Sequence, residues 1–570
     1  MSKAFTISII TLIVFIEIHI QTVNGQTYCN PLNLSYRFSL DQPSRREAAD
    51  PTIVLYKDNY YLFASKAGGY WHSTDLTDWK LVTAPTLPLE NYAPTAVVIG
   101  DWLYFFTSLS KTIYRSNDPE NGKWEVYNSS FPLSMVSDLA VFADTDGRVY
   151  CFYGCTNNEG FMARELDVNN KLNPKGVPMV CILKNSSGQG WTRPVDKNKK
   201  TFTPGVEGSW MNKYNGKYYY QFAEPDTEFK NYGDVVFVSD KLFGPYTYAE
   251  NNPFSSKPKG FICGANKGST FADKYGNWWH VATMTASEKQ MDEPRLGLFP
   301  TTFDNEGNMV TTTDFGDYPI IIPNHKYTDI SELNPRWSLL SYDKTAEASS
   351  SLATNPTDFA FDENIGTYWS AKTGNQDEWL SVDLGSLCMI NAIQVNFAEN
   401  KTILLGREGV HGQQYRIDYS ADNKNWTTLI DKTANTNDLT HPYEVMSTPV
   451  QARYVKIINY CVTDGTFAIS GLRVFGFGTS PMPTVVNSFF PERDRNDPRK
   501  IKLTWWGKPS YTTGFNIRYG TQKDKLYHNY QVYKNTPVTF QGLDKNKTYW
   551  FEIDAFGENG ITPSTPHSSH

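Results

Sequence analysis

The sequence is short of the residues that build metal and disulfide frameworks. Seven cysteines are spread through 570 residues, at positions 29, 151, 155, 181, 263, 388 and 461. None of these spacings makes a zinc site. The density is too low for a disulfide-based fold, although one bridge or two stays open. The formal net charge is −7 and no basic stripe is present, so nothing points to a nucleic-acid partner. No helix-length segment shows a single apolar face. After the first 20 residues no run is long and apolar enough to span a bilayer. Residues 4–20 are almost wholly apolar behind Lys3, and Gly25 before Gln26 suits a cleavage point. The run is short and its flanks resemble an export signal more than an anchor. Residues 1–25 are therefore expected to be removed, leaving a secreted or periplasmic, monomeric protein that is off the membrane.

What the chain has is aromatic side chains, 15% of the total, set in alternating runs. Residues 47–65, EAADPTIVLYKDNYYLFAS, read as a hairpin with a carboxylate, Asp50, at its head. Similar hairpins follow at 93–107, 138–153, 207–222 and 267–282. Asp50 lies nine residues before Asn59, and Asp138, Glu207 and Lys267 lie nine before Gly147, Gly216 and Gly276. Ala93 heads the second copy, whose turn is shorter. One repeated position thus carries Asp, Ala, Asp, Glu and Lys. Repeated small sheets that cannot bury their faces alone predict an all-β fold, a five-bladed β-propeller. Its heads would ring one channel mouth.

The length predicts further domains. Residues 26–335 are assigned to the propeller. A different strand pattern fills 341–478, and 484–563 hold short strands expected to form a small β-sandwich. Leu543 followed by Tyr549 fits a tyrosine corner, and Asn559-Gly560 a turn.

Carboxylates on different blades suit acid–base cleavage of a glycosidic bond. One acid protonates the leaving oxygen, and a second activates water about 6.5–9.5 Å away in an inverting enzyme. A third nearby carboxylate raises the acid's pKa by repulsion. A lone Asp or Glu is usually a solvated turn residue, but that explanation must here cover three of five equivalent heads. Lys267 could bind substrate or pair with an acid. Arg295, with its fixed planar donors, could bind substrate near the channel or hold Glu207 in place. Tyr92 and Trp210 could stack on sugar or belong to the blade core.

Ala49-Asp50-Pro51, Tyr92-Ala93-Pro94, Ser137-Asp138, Val206-Glu207-Gly208 and Arg295 together resemble glycoside hydrolase family 43. That resemblance implies Asp50 as general base, Asp138 as modulator and orienter, and Glu207 as general acid. The fifth blade departs from the family's frequent Gly-His, reading GANKGSTF with Asn266 and Lys267. No metal or cofactor is therefore expected at the channel, and no sugar specificity is carried over. FDENIGTYWSA and EWLSVDLG in the second region resemble the discoidin (F5/8 type C) jelly roll used by family 32 carbohydrate-binding modules. Trp369 and Trp379 match its core positions. The loop Gly406–Gly412, with Arg407, Glu408 and His411, is the binding candidate there, and a structural calcium is considered near Asp362. The last region resembles fibronectin type III, a spacer with no assigned site. The functional expectation is an exported, exo-acting, inverting glycosidase that removes a terminal arabinofuranose, galactose or related sugar from a polysaccharide. A non-catalytic carbohydrate-binding propeller and a lyase or transferase on the same scaffold are the alternatives.

Overall fold

The computed structural model describes residues 25–39, 45–133, 136, 138–154, 160–183, 207–224, 233–285, 294–403, 412–507 and 509–569. The apolar N-terminal stretch and the loop residues Arg407, Glu408 and His411 lie outside them. Among the described residues there is no α-helix, only strands and three 3-10 turns.

Five four-stranded antiparallel sheets fill the first half of the chain, each with its strands hydrogen-bonded in chain order. Their first strands are Ala49–Tyr56, Thr95–Ile99, Ala140–Ala143, Glu207–Tyr214 and Cys263–Ala272. These five strands touch one another in a closed ring, the first against the second and the fifth. The alternating sequence explains the closure. In the first sheet Ile53, Tyr60, Leu62 and Trp71 pack against Trp279, Val281 and Leu298 of the fifth. Their neighbours Tyr61, Phe63 and Tyr70 pack the opposite way, against Leu103, Phe105 and Trp124 of the second. The same division recurs at the other seams. Both faces of each sheet are thus buried, and wide inter-sheet gaps are filled by Phe, Tyr and Trp. Strand Gln26–Tyr28 pairs with Ile320–Ile322, and this ribbon covers the seam between the first and fifth sheets.

The second region is an eight-stranded sheet built around the long strands Trp379–Phe397, Tyr443–Cys461 and Ala468–Phe477. Trp369 is fully buried in its core. Trp379 is only half-buried, and the Lys456 ammonium lies over its ring and that of Trp426. In the acidic loop Glu363 turns inward to Arg473, while Asp362 accepts from Asn364 N and Thr367 Oγ1. The last region packs a three-stranded sheet on a five-stranded one. The Tyr549 hydroxyl accepts from the Asp544 amide, fixing the corner expected after Leu543. The six described cysteines are free thiols.

The three regions meet at one buried junction. Arg473 makes a bidentate pair with Glu363 at 2.8 and 2.9 Å, and both side chains are at most 3% exposed. Tyr533 of the sandwich donates to Glu363 at 3.0 Å, and Arg473 also donates to the Asp317 carbonyl beside the propeller. Removing one partner of a buried pair strands the other charge. Arg473→Leu is therefore expected to cost about 3–5 kcal/mol of stability. Denaturant unfolding of the full chain measures this; an unchanged midpoint would show that the junction holds nothing together.

Candidate active site

In or just before the first half of each first strand, one residue turns toward the axis. In the first sheet Ala49 pairs with Ser65 and Thr52 with Phe63, so Asp50 and Pro51 bulge. The fourth and fifth sheets bulge in the same way, between Glu207 and Trp210 and between Asn266 and Ser269. The turned residues have left-handed backbones: Asp50 (φ 52°), Ala93 (44°), Asp138 (52°), Gly208 (78°) and Lys267 (42°). Such a backbone is costly for any residue but glycine, and it persists where surrounding structure imposes it. Here the imposing bonds come from the other sheets. Asp50 N donates to Thr283 Oγ1, Ala93 N to Ser65 Oγ and Asp138 N to Ser108 Oγ. Gly208 N donates to Asp138 Oδ2, and Lys267 N to Asp234 Oδ1.

These five residues line one water-sized cavity of about 30 Å³. The register corrects the fourth head, which is Gly208 and not Glu207. Equal counting back from the turns misleads because Asn59 already belongs to the second strand, whereas Gly216 is still in the turn. Glu207 nevertheless reaches the site. Lys267 Nζ lies 3.1 Å from Asp50 Oδ1, 3.5 Å from Asp138 Oδ2 and 3.2 Å from Glu207 Oε2. Burial alone would push the Lys267 ammonium down, but the three carboxylates overcome this and hold it well above the ordinary lysine value. The cation at the centre of the acids is thus the protein's own. No set of three His, Cys, Asp or Glu side chains placed to share a metal occurs among the described residues.

The other expected residues divide. Trp210 lines the cavity and is fixed by its indole N–H on the Thr270 carbonyl. Tyr92 stands beside the mouth, 56% exposed, with Lys66 Nζ 4.8 Å over its ring. Arg295 is a correction. It is buried, lies over the Tyr36 ring, and donates to the Arg46 carbonyl and to His441 Nε2 at 3.1 Å. His441 belongs to the jelly roll, so this guanidinium is directed to a domain interface and is not part of the cavity wall. Burial, then the charges of Arg295 and Arg46, push the His441 imidazole well below its usual value, consistent with a neutral acceptor. Arg46, four residues before Asp50, pairs across the same interface with Glu399 and Asp438.

Residues not singled out from sequence support the site from beneath. Asp234 accepts from both Lys267 N and Gly268 N, and His280 Nε2 lies 2.9 Å from its carboxylate. His280 Nδ1 in turn meets Thr270 Oγ1, which donates to Gln221. No local motif links these positions. The one readable signal was the glycine after Glu207, the residue type that a left-handed bulge favours.

Comparison with known proteins agrees with this architecture. Residues 44–307 match the model for glycosyl hydrolases family 43, and residues 345–465 match the F5/8 type C domain. The chain is 25% identical over 273 residues to xylosidase/arabinosidase 43A of Humicola insolens, covering 41% of this chain and 78% of that protein. It is 29% identical over 135 residues to a beta-xylosidase of Xylanibacter ruminicola, covering 20% of this chain and 39% of the relative. A solved glycoside hydrolase structure aligns over 75% of this chain and 97% of its own, at 18% identity and a TM-score of 0.47. The chain carries a glycosyl hydrolase family 43 domain followed by an F5/8 type C domain.

Proposed function

We propose that the protein is an exported, exo-acting glycosidase that releases a terminal pentose or related sugar from a plant polysaccharide with inversion. The observation that carries this reading is the convergence of Asp50, Asp138 and Glu207 on one ammonium at the channel mouth. The xylosidase and arabinosidase names of the relatives favour arabinose- or xylose-bearing substrates. In this reading Glu207 protonates the leaving oxygen, and Asp50 takes a proton from the attacking water. Asp138, which holds the Gly208 amide, orients the strand that carries Glu207. The jelly roll and the fibronectin-like sandwich serve as accessory domains.

Lys267 adds a step. The acid and base oxygens lie 3.1 and 3.2 Å from the same nitrogen. These two oxygens are therefore at most about 6.3 Å apart with the ammonium between them, where an inverting pair would hold its water. The arrangement is a resting state. An entering sugar displaces the ammonium, whose four-carbon stem is flexible enough to swing aside.

A second reading draws on the same contact. A permanent ammonium would make three acids compatible with a non-catalytic sugar-binding propeller. In that case the wild type would release no sugar from any polysaccharide or aryl glycoside.

Mutation separates the roles. Loss of a positioned acid or base typically costs about 10²–10⁴-fold in rate. Glu207→Gln is expected to hurt poor leaving groups most, and Asp50→Asn all substrates alike. Proton NMR within seconds of mixing should show the inverted anomer. A retained product would make Asp50 a nucleophile and overturn the scheme.

The pH profile tests the lysine. Removing a positive charge from beside carboxylates raises their pKa values. Lys267→Met should therefore move both limbs of the kcat/KM profile to higher pH. The acid limb moves because the base loses its proton later, and the basic limb because the acid keeps its proton longer. Because kcat/KM reports the free enzyme, an unmoved profile would mean that the ammonium does not set the pKa values of these acids even before substrate binds.

A further inference from the structure

The chain reaches Asp50 through residues 46–48, and every second residue of this stretch is fastened to the fifth sheet. The Arg46 carbonyl accepts from Arg295 Nη1. Ala48 N donates to the Pro294 carbonyl at 3.2 Å. Asp50 N donates to Thr283 Oγ1 at 3.0 Å. Arg295 pairs with Met284, the residue after Thr283, so the three anchors lie along one edge. The left-handed backbone at Asp50 persists only where its surroundings impose it, so slack introduced at residue 46 reaches the carboxylate.

The first anchor depends on where the Arg295 guanidinium points, and the jelly roll holds it there. Arg295 Nε donates to His441 Nε2 at 3.1 Å. A guanidinium only donates, so Nε2 is the accepting nitrogen of His441. The ring proton is then on Nδ1, which donates to Asn396 Oδ1 at 2.9 Å. The Arg46 side chain is held from the same domain. Asp438 accepts from it in a bidentate pair at 2.8 and 3.0 Å, and Glu399 pairs with its Nε. Arg46, Arg295, His441 and Glu399 are all buried. Hydrogen bonds to charged groups in so dry a place are strong and directional. The jelly roll carries no reacting group, yet its side chains define the frame from which the first strand enters the channel.

We propose that the jelly roll positions the Asp50 carboxylate, with His441, Glu399 and Asp438 as positioning residues that act through Arg295 and Arg46. The description of Asp50 as the base rests on the function proposed above. The test uses the full chain. His441→Leu removes the acceptor, whereas His441→Gln can still accept from Arg295 and donate to Asn396. In His441→Leu, a peptic fragment covering residues 45–52 should exchange its amide hydrogens about tenfold faster, with fragments of the third sheet unchanged. His441→Gln should restore the protection. His441→Leu should also lower kcat about 10²-fold with little change in KM, the scale of a reacting group displaced by ~1 Å. On an Asp50→Asn background it should cost nothing more, and on a Glu207→Gln background its cost should multiply. General destabilisation would multiply on both. If His441→Leu does not fold, Asp438→Asn, which keeps the shape and removes the charge, is read in the same way. Wild-type exchange over residues 45–52, or equal losses on both backgrounds, would overturn the positioning role. A wild type that releases no sugar would instead overturn the hydrolase reading, and the exchange measurement would still decide whether the jelly roll holds the Asp50 strand.

Discussion

A closed ring of five sheets has one axis, and whatever stands at the strand entrances meets there. This constraint governs the molecule. Inter-sheet packing of aromatic side chains closes the ring, and closure brings residues from positions 50, 138, 207 and 267 within reach of one nitrogen. Three carboxylates with only 7–20% of their side-chain surface exposed would repel one another strongly in so dry a place. The lysine makes the arrangement tolerable. Its ammonium fills the space between the Asp50 and Glu207 carboxylates, which is the space a sugar would have to enter in the proposed scheme.

Much of this was legible in the sequence, and the failures have physical causes. Period-two alternation with aromatic residues on both faces marks strands buried on two sides, and the repeat of that pattern marks the sheets. The identity of the acids followed from their place at the hairpin heads. The fourth head was misplaced by one residue because the count ran from Asn59, the first residue of a strand, in the first hairpin but from Gly216, the last residue of an equally short turn, in the fourth. Arg295 was drawn toward the channel by its position on the fifth sheet, but the jelly roll supplies His441 as a partner that no local pattern announces. Asp234 and His280 were invisible for the same reason. They come from the third and second strands of different sheets and act on the site only through the Lys267–Gly268 backbone.

The later domains are not merely tethered. Arg46 leads into the strand that carries Asp50, and it is held by two jelly-roll acids. Arg473 and Glu363 lie where all three regions meet, under Tyr533 of the sandwich. Buried pairs of this kind add little net stability over apolar residues of the same shape, but they tolerate only one relative placement of their partners. The interface therefore defines orientation. It fixes the jelly roll against the entry to the first sheet.

Gly208, Glu207 and Lys267 are best understood as one feature. A side chain at position 208 would put its Cβ 3.0 Å from Lys267 Cγ, so the bulge position of the fourth sheet must be empty for the lysine stem to cross it. That displaces the fourth sheet's carboxylate one residue outward. At the bulge positions themselves, Asp50 and Asp138 need only the short aspartate side chain to face the axis. From one residue farther back, an aspartate would fall short, and the extra methylene of glutamate restores the reach to 3.2 Å from the same ammonium. The choice of Glu over Asp at this one position, the glycine after it and the lysine across the channel thus follow from a single steric requirement.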